Sequence, residues 1–379
     1  MRLQVAITEK NERLGSFSSP VTKFSVSQRY GVIPSNELEN RTMQAKSLVN
    51  YKVVERDDLV LNRFNAYKGA LGLSPGQGVV SPDYFVAKVN TELAEPRFIR
   101  YFLLSNPSAE IIKRDMGGMG SGDPDSSAFA RFDVRSLLSM HIPVSDAETQ
   151  RAIADYLDRE TGEIDAMSAD LDEMEVLLLE RRSNIVRTSV TPPFPGEWQR
   201  RKLGYLVNFR NGKETAGVEN PEGCYPVYGS GGEFKRADDY LHDGPSVLFG
   251  RKGTIDRPLL VDGRFWTVDT MYYTEIGPEV DPKFLHYWAT IAPFSLLATD
   301  TALPSMTSTE LSQLFVEYPD LVTQRRIAVE IDRETAELDA MLADISELRD
   351  LLAERRAAVI AAAVTGQIEV PVTQEADNG

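Results

Sequence analysis

The sequence predicts an α/β chain of two α/β domains joined by two long helices, which form an antiparallel coiled coil with pseudo-twofold symmetry. Three observations carry that expectation. The chain repeats itself: Gln150–Thr191 and Gln324–Thr365 align without a gap, and 22 of the 42 positions are identical. Both copies place apolar residues at alternating spacings of three and four, the mark of a coiled-coil seam. Most of the glycines, prolines and aromatics fall outside the copies, in regions that mix short apolar runs with helical stretches. A repeat this widely spaced is not a solenoid, whose periods run to about 20–50 residues. It describes two large halves, each a variable region followed by a similar helix.

Residues 1–149 form the expected first domain. The runs Leu59, Val60, Leu61 and Ser246, Val247, Leu248, Phe249 read as strands. Arg97–Leu104 and Pro282–Thr290 read as matching helices, one per half. Residues 150–191 are the first long helix, with a seam of Ile153, Leu157, Ile164, Met167, Leu171, Met174, Leu178 and Ile185. Glu160 and Arg181 complete the series. Gly162 weakens this helix by about 1 kcal/mol. Thr191-Pro-Pro-Phe-Pro-Gly stops it, because proline cannot continue a helix. Residues 192–323 form the second domain and residues 324–366 the second helix. Its seam is Ile327, Ile331, Leu338, Met341, Ile345, Leu348, Leu352 and Val359, completed by Glu334 and Arg355. Residues 367–379 read as a flexible tail. An antiparallel register centred near Leu171 and Ile345 pairs Glu160 with Arg355 and Arg181 with Glu334. Buried charges persist mainly when paired. The alternative leaves all four at the seam edge, in water.

Composition narrows the function. The chain has 379 residues, 42% apolar and 26% charged, as globular proteins do. No apolar run reaches the roughly 18–20 residues that cross a bilayer. The first residues lack the apolar core of a signal peptide, so a cytoplasmic location is expected. One cysteine, Cys224, and three histidines leave no intramolecular disulfide and little for a metal site. Net charge is −16, yet unevenly spread. Residues 1–149 carry +1, the two helices −5 and −3, residues 192–323 −6 and the tail −3. The near-neutral first region permits a basic face. The acidic helices suit protein partners better than phosphate.

The repeat motifs (Gln-Arg-x-Ile-Ala, Asp-Arg-Glu-Thr, Glu-Arg-Arg, Val-Thr) resemble those of specificity subunits of type I restriction–modification systems. So do LNRFNAYKGALGL from Leu61, GVVSPDYFV from Gly78, YPVYGSGG from Tyr225, LFGRKGTI from Leu248 and FWTVDTMYY from Phe265. The resemblance covers nearly the whole chain. It implies two target-recognition domains, each reading half of a bipartite asymmetric site in double-stranded DNA. It further implies a coiled coil that sets the spacer and docks two methyltransferase subunits, with restriction or translocase subunits in the full complex. Methyl donor and ATP would bind those partners, so neither catalysis nor a cofactor is expected in this chain. One departure stands out: the first domain lacks the Trp-led opening of the second, Glu197-Trp198, as though its start were late or trimmed. The rival class is a coiled-coil scaffold holding two protein-binding domains, which would show no DNA sequence preference.

Candidate DNA contacts follow from chemistry. Arginine and lysine bond guanine O6 and N7, and asparagine bonds adenine. In the first domain Asn62, Arg63, Tyr67, Lys68 and Gly69 follow a strand, and Gly69 would admit a phosphate close to the backbone. Lys113 and Arg114 precede a Gly-rich stretch and suit phosphate. In the second domain Arg210 and Lys213 flank a turn, Tyr228 opens a glycine loop, and Arg251, Lys252 and Thr254 follow a buried strand. Their bland alternative is a solvated turn, and Trp266 reads as core. Catalytic look-alikes are set aside. Thr191-Pro-Pro-Phe lacks the leading Asn or Asp of a methyltransferase loop. Pro82-Asp83 lacks a following nuclease motif. Gly229–Gly232 is no Walker loop, and His242-Asp243 has no nucleophile.

Overall fold

The computed structural model describes residues 1–15, 21–37, 48–117, 131–143, 146–294, 297 and 304–370. The fold is α/β, with two helices of 43 and 44 residues, Ala147–Ser189 and Leu321–Val364. The chain divides into two compact units: Met1–Asp170 with the chain from Glu347 on, and Leu171–Ser346. Each long helix therefore begins in one unit and ends in the other.

The two units share one plan. In the first, Ile7–Glu9, Tyr84–Val89, Leu59–Asn62 and Leu71–Leu73 lie side by side as an antiparallel sheet. In the second, Val207–Asn211, Met271–Ile276, Ser246–Gly250 and Leu259–Val261 repeat that order. The expected strands and both short helices, Pro96–Leu104 and Pro282–Thr290, are present. The opening differs. Gln199–Lys202 pairs with Phe315–Tyr318 in the second unit, where Trp198 packs edge-on against the buried Phe284. At that place the first unit has the bridge Arg2↔His141 and a mutual pair of hydrogen bonds between Met1 and Ile142, and Leu3 then bonds Met140 as Leu203 bonds Leu314.

The seam lies partly one residue away from its expected position. Leu157, Ile164, Ile331, Leu338 and Ile345 are buried as expected. Ile153 is buried too, but beside it the companion row follows Ala154, Thr161, Ala328, Thr335 and Ile360, all buried. Met167, Met174, Met341 and Leu348 consequently stay 39–50% exposed. The shift decides the ion pairs. Glu160 meets Arg355 at 3.5 Å, with Arg355 half exposed. Arg181 is turned outward, and Arg182 takes the cross-helix contact, to Asp339 at 2.6 Å. In each unit the two helix segments run antiparallel. Ile153 and Leu157 share a core with Ile360 and Val364, while Val186 and Val190 share another with Ala328 and Ile331.

The identical residues of the repeat attach each short helix to its long one. Asp158 accepts hydrogen bonds from Arg97 (2.8 Å), Arg100 (3.0 Å) and the Tyr101 hydroxyl (2.6 Å), and Tyr101 also meets Thr161 at 3.0 Å. The Gln150 side chain accepts from the Glu95 N–H at 2.8 Å. The second unit repeats this: Asp332 holds Lys283 and Tyr287, and Gln324 accepts from the Asp281 N–H at 2.7 Å. Burial would raise the Asp332 pKa, but its bonds from Lys283 and Tyr287 outweigh that and hold it below the ordinary carboxylate range. A depressed folded-state pKa contributes stability that is complete above the unfolded value of 3.8 and fades as pH falls through the folded one. The stability difference between the parent chain and Asp332→Asn should therefore be fully present near neutral pH. It should begin to fade below pH 3.8 and close as pH falls through the lower folded-state value, in chemical unfolding followed across pH.

Candidate nucleic-acid interface

The strongest candidates occupy equivalent places in the two units. Asn62, opposite Tyr84, is the last residue of its strand; Gly250, opposite Met271, is the last of the matching one. The next residue in each is an arginine, Arg63 and Arg251. The Arg63 carbonyl accepts from the Phe132 N–H at 3.1 Å, and the Arg251 carbonyl accepts from the Met306 N–H at 3.0 Å. Phe132 and Met306 are separated by the same 174 positions as the helix repeat. Each is followed by the N-cap of a short helix, Asp133 or Thr307. One backbone device thus sets an arginine at the end of a central strand in both units.

In the first unit the loop after this strand is tightly wound. The Asn62 side chain accepts from the Phe64 N–H at 3.0 Å, and Ala66–Lys68 form a single 3-10 turn. Gly69 closes it at φ +88°, a conformation that favours glycine. Tyr67 packs against the core, while Lys68 is exposed with its ammonium over the Tyr67 ring. The Arg63 guanidinium donates to the Phe132 carbonyl at 3.2 Å and lies over the Phe132 ring. Lys113 and Arg114 end the helix Asn106–Arg114, and Arg114 pairs with Asp115 at 3.0 Å. The Gly-rich stretch after them lies, from residue 118 on, outside the described residues.

In the second unit the 267–271 turn gathers three candidates. The Lys213 N–H donates to the Thr267 carbonyl (2.9 Å), and the Thr267 hydroxyl donates to the Tyr228 carbonyl (2.9 Å). Arg251 donates to this turn twice, from its N–H to Thr270 (2.8 Å) and from its guanidinium to the Asp269 carbonyl (3.3 Å). Lys213, Lys252 and Thr254 are exposed. Tyr228 is half buried edge-on against Phe265, and burial raises its pKa. Arg210 stands apart: it grips Glu275 through two bonds of 3.0 and 3.1 Å, so a carboxylate already balances its charge. Trp266 is buried and donates to the Lys213 carbonyl, a core residue as expected.

The comparisons bear on this geometry. The family model for the type I restriction modification DNA specificity domain matches residues 195–344. Residues 195–344 thus resemble that specificity domain. The match bears out the resemblance read from the helix repeat and the loop motifs. A curated relative, the type I restriction enzyme EcoDI specificity subunit of Escherichia coli, is 22% identical over 177 residues, 46% of this chain. The chain aligns with 39% of that relative's length. A solved chain, reported under a title on complex assembly and conformational transition of the type I R-M system, is 15% identical. It shares the fold at a TM-score of 0.67, over 97% of both chains. Arg210, Lys213, Tyr228, Arg251, Lys252 and Thr254 all lie inside the matched specificity domain.

Among the described residues no helix is long and apolar enough to cross a membrane, and no group of three His, Cys, Asp or Glu residues could hold a metal ion. Sequence reasoning missed Asp158 and Asp332, whose signal was their identity across the repeat.

Proposed function

We propose that this chain is the non-catalytic DNA-recognition subunit of a cytoplasmic type I restriction–modification complex. Residues 1–149 and 192–323 each read one half of a bipartite, asymmetric DNA site. The helices at 150–191 and 324–366 dock two methyltransferase subunits, with restriction or translocase subunits joining the assembly. The observation that carries this reading is the equivalent placing of Arg63 and Arg251, one of them within a matched specificity domain. Similar frames with different neighbouring side chains suit two different half-sites.

Mapping methylated adenines genome-wide, with and without this chain, tests the reading. One bipartite motif should disappear without it; an unchanged methylation pattern would refute the proposal. Arg251→Ala should weaken binding by about 1–3 kcal/mol and relax one base position in the second half-site. Specificity equal to the parent's in that variant would remove Arg251 from the reading set.

The displaced seam row supports docking. Met167, Met174, Met341 and Leu348, together with the likewise exposed Val176, Leu177, Leu179 and Leu351, leave apolar surface along the two helices. Methionine adapts to varied partner shapes. Met341→Asp should leave the chain's stability within about 0.5 kcal/mol, as exposed substitutions do. It should lower methyltransferase-subunit binding, measured by co-purification; undiminished binding would move docking elsewhere.

A further inference from the structure

Among the described residues Lys52 is the one lysine or arginine in the buried class, 8% exposed. Its ammonium donates to the Tyr84 carbonyl at 2.8 Å. Tyr84 is the strand partner of Asn62, the residue before Arg63. Arg63 is also incompletely satisfied: its Nε is buried with no hydrogen-bond partner, and its contacts are the Phe132 carbonyl and ring. Among the described residues neither cation has a carboxylate at ion-pair distance. Burial lowers the Lys52 pKa, and Arg63 and Arg13 act in the same direction against Glu9 and Asp83. Asp83 is already paired with Arg131 at 3.0 Å, and Glu9 accepts from Asn11. Burying an ammonium without a counter-ion is costly. Two such cations beside one strand end make a local excess of positive charge that a fold alone does not require.

We propose that Lys52 and Arg63 form a seat for one backbone phosphate of bound DNA. The inference deepens the DNA-recognition reading and rests on it. Arg63 supplies the guanidinium N–H donors that the Phe132 carbonyl leaves free, and the buried Lys52 supplies further positive charge. A seat of this kind fixes register and carries no base preference of its own.

The test uses the full chain assembled with its methyltransferase subunits and a duplex carrying the mapped motif. Affinity is measured by anisotropy across roughly 50–300 mM salt, a range over which phosphate contacts dominate the slope. Lys52→Met and Arg63→Met should each make the log–log salt slope shallower by about one. The double variant should change it no more than either single one, since one phosphate is lost. Lys52→Arg should keep the parent slope. Lys52→Met should melt no lower than the parent, because it removes an uncompensated charge while keeping shape. An unchanged slope in Lys52→Met, additive slopes in the double variant, or a clear fall in its melting temperature would each overturn the seat. Failure of the parent complex to bind the duplex would instead defeat the DNA-recognition reading itself.

Discussion

Gly250→Ala should cost about 3 kcal/mol of stability and detach the loop that follows Gly250 from its frame. A Cβ at Gly250 would lie 2.3 Å from the Thr254 carbonyl oxygen and 2.8 Å from the Ile255 Cα. Both are backbone atoms, so no side chain can rotate away. The whole 251–255 segment must move, and Arg251, Lys252 and Thr254 move with it. That segment is held by the Arg251–Met306 and Gly253–Pro304 bonds, which would break or lengthen. On the proposed DNA-recognition reading, discrimination in the second half-site should fall by about 2–3 kcal/mol, the scale of a lost bidentate base contact. Reading of the first half-site should persist, since Asn62 occupies the equivalent place there and a side chain is accommodated. Thermal unfolding and the methylated motif of the variant check both parts. Parent-like melting together with an unchanged motif would mean that the close approach at Gly250 does not constrain the loop.

That contrast between Asn62 and Gly250 shows what the sequence could and could not reveal. The repeat was visible because identical residues recur at a fixed offset, and it located the long helices and hence the two halves. The seam was half visible. Leu157, Ile164, Leu338 and Ile345 lie where spacing put them, but the companion row follows Ala154, Thr161, Ala328 and Thr335. These small or hydroxylated residues are weaker periodic signals than Met167 or Leu348, which spacing therefore favoured. Buried Thr161 and Thr335 satisfy their hydroxyls by donating to the Leu157 and Ile331 carbonyls one turn back, so they sit in a core at little cost. Arg251 was legible as a cation after a buried strand. Its equivalence to Arg63 was not, because it rests on strand register and on bonds to residues 55–69 positions away. Arg210 looked free in the sequence; its partner Glu275 lies 65 residues on, across a strand pair. Lys52 gave no signal, since a single lysine beside a strand is ordinarily solvated.

Asp158→Ala should destabilise the first unit by about 2–3 kcal/mol, a figure reduced from that of a fully buried ionic group because the carboxylate is about a third exposed. Three donors lose their acceptor together. Arg97 retains Glu95 and Asp155, so its loss is small. Arg100 is worse placed, since its Nε is already buried without a partner and its Nη2 bond is to Asp158. The Tyr101 hydroxyl keeps Thr161 alone. Tyr101→Phe should accordingly cost less, about 1 kcal/mol, the usual worth of one hydrogen bond. The consequence reaches the interface. Pro96–Leu104 packs against Leu71–Leu73, and Leu104 lies against Gly69, at the end of the turn that carries Lys68. On the proposed reading, loosening this helix from the long one should weaken DNA binding through the first half-site, while the second unit keeps its own Asp332 anchor. Chemical unfolding of the variant, with binding to duplexes mutated in one half-site at a time, separates the two effects. Should Asp158→Ala unfold like the parent, the duplicated Asp-Arg-Glu-Thr would not be an anchor. Its identity in both halves would then point outward, to a surface that two copies of the same partner must each recognise.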